Sequence, residues 1–349
     1  MPIFKSDRAR SDNGEPDSRP SASPRDPGQP RRQVKKELRQ QLKRAQRDLA
    51  KLERENAALR SMLARREAGQ AEAGVRPENI VWIFGSGRTG SSWLSLMMGS
   101  LPDHSRWNEP LVGYLFGHLY YERAEPRQDR NLHLILANDY RETWLSAARD
   151  LVLRGAAARF PERAEKGYVD IKEPHGSVGA PLLMEALPES RMIFLVRDPR
   201  DVVASALHVT FVRKGGRDRS SRVERARERP EDFVESRADT YCRDISRTKQ
   251  AFDAHEGRKA LIRYEDLRAD TLGAMRRICS ALEIPVEERE LAMVVDKYTW
   301  ENIPDEEKGE GTTRRKATPG GWREDLTPEQ ARIVEREAAQ VLEQFYAGA

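Results

Sequence analysis

Cysteine is nearly absent from this 349-residue chain. Cys242 and Cys279 lie far apart, with no CxxC and no zinc-like spacing, which excludes a disulfide scaffold and leads us to expect reduced thiols in a cytoplasmic protein. Long apolar runs are missing too. Nothing approaches the roughly 18 apolar residues that a membrane span needs, and the opening MPIFKSDRAR has no apolar signal core, so neither a transmembrane segment nor a secretory leader is expected. The six histidines form no HExxH or comparable cluster, so no metal is expected. The 38% apolar content suffices for the core of one large domain plus an appendage.

Charge is plentiful but unevenly placed. The formal charge is +4, yet residues 1–70 hold 18 Lys/Arg against 10 Asp/Glu, which leaves −4 on the remainder. The basic excess belongs to an N-terminal arm, so nucleic-acid binding is not expected.

Residues 1–33 are rich in Ser, Pro, Arg and Asp with few apolar side chains, the composition of a disordered tail. Residues 34–67 predict a coiled-coil helix: Leu38, Leu42, Ala45, Leu49, Leu52, Asn56, Leu59 and Leu63 alternate spacings of four and three. Leu42, Leu49, Asn56 and Leu63 take the a positions, and a single a-position asparagine favours a parallel homodimer because its amide is best satisfied by its own counterpart. A short linker over 68–78 precedes a domain over 79–349.

That domain alternates strand and helix patterns, which predicts an α/β fold: a P-loop-like parallel sheet flanked by helices. Apolar runs at Ile80–Phe84, Tyr168–Ile171, Met192–Val196 and Ala260–Tyr264 read as buried strands. Helical patterns follow from Ser91, Ala180, Pro199, Phe233 and Thr271, and Thr327-Pro328-Glu329-Gln330 opens the last helix with a capping box.

The segment IVWIFGSGRTGSSWLSLMM is strand, glycine-rich turn and helix, an arrangement that points backbone N–H groups and a helix N-terminus at an anion. Its Gly85-x-x-x-x-Gly90-Ser91-Ser92 spacing is that of a Walker A loop with Ser91 in place of the lysine. Arg88 can supply the cation, and the hydroxyls of Thr89, Ser91 and Ser92 can donate to phosphate or sulfate oxygens beside Gly87, Gly90 and the flat face of Trp93. RMIFLVRDPRDVVASALH repeats the strand–turn–helix pattern, with Arg197 at the strand end and Ser205 eight residues on, a fork and a hydroxyl suited to a phosphate monoester.

Together these segments resemble the family of sulfotransferases that use 3′-phosphoadenosine 5′-phosphosulfate (PAPS). GRTGSSW is similar to that family's 5′-phosphosulfate loop, in the Arg-Thr-Gly-Ser-Ser form of carbohydrate sulfotransferases, and VRDPRDVVAS to its 3′-phosphate motif. RYEDL and RRKATPGGWR extend the resemblance from about Asn79 to Tyr346. It implies PAPS as donor co-substrate, Tyr264 near the adenine, and Arg314, Arg315 and Lys316 closing over the 3′-phosphate with Trp322 as a packing anchor. Transfer of the sulfuryl group to an acceptor hydroxyl is then expected, on a carbohydrate or other small metabolite.

Sulfuryl transfer depends on positioned cations and on a base for the acceptor proton. Glu109 in WNEP is the first candidate, as in carbohydrate-type members; Glu173 and His175 in DIKEPHG follow in that order, with Lys172 placed to meet the bridging oxygen. Lys-Glu-Pro-His departs from the Lys-x-His of cytosolic members, so the role of His175 stays open. The basic stretch Arg213–Arg229 reads as a lid or a solvated segment, and Trp107, Tyr114, Phe116, Tyr120 and Tyr121 as acceptor-cleft or packing residues. Two other readings fit parts of the chain: a P-loop phosphotransferase, against which Ser91 argues, and a non-catalytic coiled-coil scaffold with a nucleotide-binding domain.

The seam has a direct test. The full chain is expected to sediment as a dimer and a chain starting at Gly74 as a monomer; a dimer that survives the truncation removes the role of the heptads.

Overall fold

The computed structural model describes residues 74–127, 133–164, 166–213, 227–299, 301–303 and 318–347, together with Leu42, Gln46 and Leu49. Two compact units divide the chain, Met1–Ala71 and Glu72–Ala349. In the first, Leu42, Gln46 and Leu49 are helical and exposed. The remaining heptad positions, including Asn56, and the expected tail lie outside the described residues.

The second unit is built on a parallel sheet whose strands are β1 (Ile80–Phe84), β2 (His104–Asn108), β3 (Tyr168–Lys172), β4 (Arg191–Val196) and β5 (Lys259–Arg263), in the spatial order β2-β3-β1-β4-β5. Helices fill the connections. In chain order they are α1 (Ser91–Met98), α2 (Val112–His118), α3 (Arg141–Arg159), α4 (Ala180–Ala186), α5 (Pro199–His208), α6 (Pro230–Ala254), α7 (Tyr264–Ala269), α8 (Thr271–Ala281) and α9 (Glu288–Lys297). The C-terminal helices are α10 (Trp322–Asp325), α11 (Pro328–Glu337) and α12 (Ala339–Tyr346).

β1 is buried along its whole length because both faces of the sheet are covered. Its alternate residues divide between two cores. Ile80, Trp82 and Phe84 join Met192, Phe194 and Val196 of β4 under α3, α4 and α6, while Val81 and Ile83 join Ile193 and Leu195 under α1, α8 and α9. Val75, within the expected linker, is only 2% exposed and packs in the first core.

Helix starts follow local chemistry. Asp198 caps α5 by accepting from Arg200 N at 2.8 Å, and Asp270 caps α8 by accepting from Gly273 N at 2.9 Å. The anticipated capping box on α11 is present, with Gln330 N donating to Thr327 Oγ1 and Thr327 N to Gln330 Oε1.

β2, absent from the sequence-based outline, pairs with β3 alone among the described strands and is only partly buried over HSRWN, so its sequence shows no apolar run. Parallel registers pair Asn108 with Lys172 and Ile83 with Lys172, and align Phe84 with Phe194 and Val196 with Arg263. The C-terminal ends of all the strands thus come to one edge of the sheet.

Among the described residues Trp82 is the largest fully buried side chain; it stacks on Phe84 at 5.4 Å and its indole N–H donates to Ser190 Oγ at 3.1 Å. Trp82→Ala is expected to cost about 3–5 kcal/mol of folding stability, measured by urea unfolding. A loss under about 1 kcal/mol would show that the surrounding layer can collapse into the space.

Candidate functional site

Each strand hands the chain to a chemically distinctive residue at that common edge. β1 runs into the glycine-rich loop, β2 into Glu109, β3 ends on Lys172 and continues into Glu173, β4 runs into Arg197, and β5 into Tyr264.

The loop wraps tightly. Gly90 sits at φ +91° and Arg88 at φ +75°, both in the left-handed region. A Cβ on Gly90 would lie 2.5 Å from Cδ2 of Tyr264, and one on Gly87 would lie 2.9 Å from Cε1 of His175. Only glycine lets the loop backbone approach these rings. The loop is also tied from behind: Gly85 N donates to Ser177 Oγ at 3.0 Å, Ser86 Oγ to the buried Asp244 Oδ2 at 3.0 Å, and Thr89 Oγ1 to Ser86 O at 2.8 Å. The Thr89 hydroxyl therefore serves the loop itself. Ser91 is buried at the first position of α1, whereas Ser92 reaches solvent.

The two sequence motifs meet directly. Arg88 Nε donates to Ser205 Oγ at 3.0 Å, and Arg197 Nη1 donates to the Arg88 carbonyl at 3.0 Å. Arg197 lies over the Tyr264 ring at 4.3 Å, and its Nε is buried without a hydrogen-bond partner among the described residues. That orphan donor, the Ser205 hydroxyl and the N-terminus of α1 fit a ligand carrying two separate anionic groups. Trp93 meets Tyr264 edge-on, with centroids 6.3 Å apart and planes at 71°.

RYEDL does more than present Tyr264. Glu265 accepts from Asp198 N at 3.0 Å and from Tyr346 OH at 3.0 Å, clamping the turn after Arg197, and Tyr241 OH donates to the Arg197 carbonyl. Asp201, four residues beyond Arg197, accepts from Gly320 N at 2.8 Å and Trp322 N at 2.9 Å. Arg200 stacks on Trp322 at 4.3 Å. Arg314, Arg315 and Lys316 lie outside the described residues, as does most of the 213–229 stretch, but the foot of the late segment is fixed to α5.

The carboxylate candidates differ sharply. Glu109, at φ +51°, is partly exposed, and its Oε1 lies 2.6 Å from Lys172 Nζ, which also donates to Ser92 Oγ at 3.0 Å. Lys172 thus joins the Glu109 turn to the glycine-rich loop. Burial lowers the lysine pKa; Glu109 opposes this, and Arg106 and Arg88 add to it.

Glu173 is wholly buried. Its Oε1 accepts from Val112 N at 3.1 Å, and its Oε2 has no partner among the described residues. It faces the start of α2, where it holds the turn of Glu109, Pro110 and Leu111, the last at φ +63°. Burial pushes its pKa up to about 7, with the Val112 backbone N–H opposing. His175 reaches solvent beside Gly87, yet desolvation of its ring, reinforced by Arg237, Lys172 and Arg88 against Glu109, holds its pKa below the ordinary value.

Of the expected cleft aromatics, Tyr120 is buried, Trp107 and Phe116 pack against the core, and Tyr121 lies 3.7 Å from the Arg247 guanidinium. Tyr114 alone stands well exposed. Asp244 is the site-supporting residue that motif reading missed. The available signal was its place on α6 beside the apolar stripe Val234, Ala238, Tyr241 and Ile245, where a carboxylate must find a buried partner. Burial raises its pKa to about 7, with Ser86 opposing. Among the described residues no group of His, Cys, Asp and Glu gathers as a metal site, and no helix is long and apolar enough to cross a membrane.

The sequence matches the model of the sulfotransferase family over residues 81–288. No curated protein matches it. Among solved structures, the chain is similar to mouse sulfotransferase SULT7A1 complexed with PAP: 13% identity, 77% of this chain and 85% of that one covered, TM-score 0.49. It is also similar to sulfotransferase STF9 from Mycobacterium avium, with 15% identity, 83% and 81% covered, and a TM-score of 0.48.

The buried Glu173 carboxyl sets a pH dependence. Its pKa rises on folding from 4.5 to about 7, so the native state binds the proton more tightly and stability falls as pH climbs through that window. Relative to the native protein, Glu173→Gln is expected to gain up to about 3 kcal/mol between the two pH limits, measured by denaturant unfolding. A difference that does not change with pH would refute the raised pKa.

Proposed function

The chain belongs to the sulfotransferase family, whose members draw their sulfuryl group from PAPS, and on that premise we propose that it transfers this group to an acceptor hydroxyl with Glu109 as base. The observation that carries the donor reading is the pair of bonds joining the two anion motifs, Arg88 Nε to Ser205 Oγ and Arg197 Nη1 to the Arg88 carbonyl. A donor with phosphate groups at both its 5′ and 3′ positions needs two such motifs in one site.

In this reading the backbone of Gly87, Arg88, Thr89 and Gly90, the Ser91 and Ser92 hydroxyls and the Arg88 side chain hold the 5′-phosphosulfate at the start of α1. Arg197 and Ser205 hold the 3′-phosphate, and Trp93 and Tyr264 flank the adenine. Arg314, Arg315 and Lys316 close over the 3′-phosphate; the anchoring of Gly320 and Trp322 to Asp201, close to Arg197 in α5, supports this. PAPS supplies the activated sulfuryl group.

Glu109 takes the acceptor proton as the acceptor oxygen bonds to sulfur. Lys172 offsets the charge that appears on the bridging oxygen as the bond from sulfur to the 5′-phosphate breaks. The reach of Lys172 to both Glu109 and Ser92 supports this division of labour. Glu173 is assigned to holding the Glu109 turn because it is wholly buried, and His175 to the wall of the loop beside Gly87. The acceptor is a small molecule bearing a hydroxyl, and the Arg-Thr-Gly-Ser-Ser form of the loop favours a sugar head. The full chain acts as a parallel homodimer; the exposed, helical Leu42 and Leu49 at a positions support the seam.

Calorimetry should detect adenosine 3′,5′-bisphosphate (PAP) binding without magnesium, lost in Arg197→Ala. With radiolabelled PAPS and a fractionated extract, Glu109→Gln is expected to lower turnover by about 10²–10⁴-fold at unchanged PAP affinity. Near-normal turnover in that variant would remove Glu109 as base, and ATP binding that requires magnesium in place of PAP binding would favour a phosphotransferase.

A further inference from the structure

Residues 110–121, PLVGYLFGHLYY, contain no Asp, Glu, Lys or Arg in a chain that is 34% charged. This run includes α2, and one face of that helix is pressed onto the turn after β3. A Cβ on Gly113 would lie 2.2 Å from Gly176 O, and one on Gly117 would lie 2.6 Å from Gly179 N. The close backbone contact fixes the rotation of the helix, so the face it turns outward is fixed as well.

That outward face is apolar. Leu111, Tyr114, Leu115 and Leu119 are 44%, 49%, 48% and 49% exposed. Elsewhere among the described residues of the domain Ile135, Tyr140, Leu151, Leu261 and Met293 are exposed, scattered along the sequence, which is ordinary for a protein surface. Four large apolar side chains in nine consecutive residues form a stripe, and contiguous apolar surface marks a binding region. The Tyr114 ring lies 4.1 Å from that of His118, and just past the far end of the stripe charge resumes at Glu122, which bonds to His118 at 2.5 Å.

The stripe starts two residues beyond Glu109. Leu111, Leu115 and Leu119 follow at one-turn intervals, so at about 1.5 Å per residue it extends roughly 12 Å from the Glu109 turn. An acceptor whose hydroxyl meets Glu109 has this uncharged surface beside it. An oligosaccharide chain or an anionic acceptor would need donors and cations that the stripe lacks, apart from the Tyr114 hydroxyl.

We propose that the acceptor is an amphiphile: a hydroxyl-bearing head at Glu109 joined to a neutral apolar body that lies along Leu111, Tyr114, Leu115 and Leu119. The inference rests on the reading of Glu109 as base. The head loses its hydroxyl proton to Glu109 and gains the sulfuryl group through a new S–O bond, while the S–O bond of the donor breaks to leave PAP. The apolar body supplies binding energy along the stripe.

The test uses the full-length protein saturated with PAP, titrated calorimetrically with glucose and with hexyl, octyl and decyl glucosides below their micelle concentrations. Affinity is expected to rise about twofold per methylene, the value for a chain covered on one side rather than fully buried. In the double variant Leu115→Gln, Leu119→Gln the rise should flatten to less than about threefold from hexyl to decyl, with PAP affinity unchanged. Equal affinity for glucose and decyl glucoside would overturn the proposal, as would a chain-length dependence that survives in the double variant. A double variant that changes only the sedimentation of the protein would assign the stripe to a second copy and overturn it too. Failure of the native protein to bind PAP is a different result, which would bring down the donor reading along with the inference.

Discussion

The parallel alignment of the strands is the constraint on which the site depends. In an antiparallel sheet the chain would leave alternate strands at opposite edges; here β2, β3, β1, β4 and β5 all point the same way, so Glu109, Lys172, the glycine-rich loop, Arg197 and Tyr264 emerge together. Register sharpens the effect. Lys172 pairs with Asn108 on one side and Ile83 on the other, so it stands between the Glu109 turn and the loop after β1. Its bonds to Glu109 and Ser92 follow from that position.

Turns at a strand edge need fixing, and carboxylates that are buried or, for Glu265, half-buried do much of it. Glu173 accepts from Val112 N, Asp244 from Ser86 Oγ, Asp201 from Gly320 N and Trp322 N, and Glu265 from Asp198 N and Tyr346 OH. Each is costly to bury and each returns a rigid turn where backbone geometry matters. The raised pKa values of Glu173, Asp244 and Glu265 reflect that cost. Left-handed backbone at Arg88, Glu109 and Leu111 coincides with the turns these side chains brace.

Much of this was legible in the sequence where the physics is local. Strands covered on both faces read as apolar runs, as β1, β3 and β4 do, and the edge strand β5 keeps a short run, Ala260–Ile262, although Leu261 is exposed; the loop spacing and the Thr327 capping box are equally short-range. β2 was not legible, because an edge strand needs no continuous apolar run and HSRWN has none. The meeting of Glu109 with Lys172 depends on strand pairing across 63 positions of sequence, for which no local signal exists. Glu173 shows the same limit from the other side: beside Lys172 in sequence it resembles a base, yet it lies on the interior face of the turn and is wholly buried. Asp244 sits more than 150 residues from Ser86, among the many charges of α6.

The position of β2 has a consequence for how the site responds to change. Its only neighbour among the described strands is β3, and α2 follows it at the margin of the sheet, whereas the loop after β1 and Arg197 after β4 are rooted in adjacent strands at the centre. A change in the peripheral strand or its helix would therefore alter the Glu109 turn and the exposed face of α2 while leaving the pairing of β1 with β4, and the two turns rooted in it, in place.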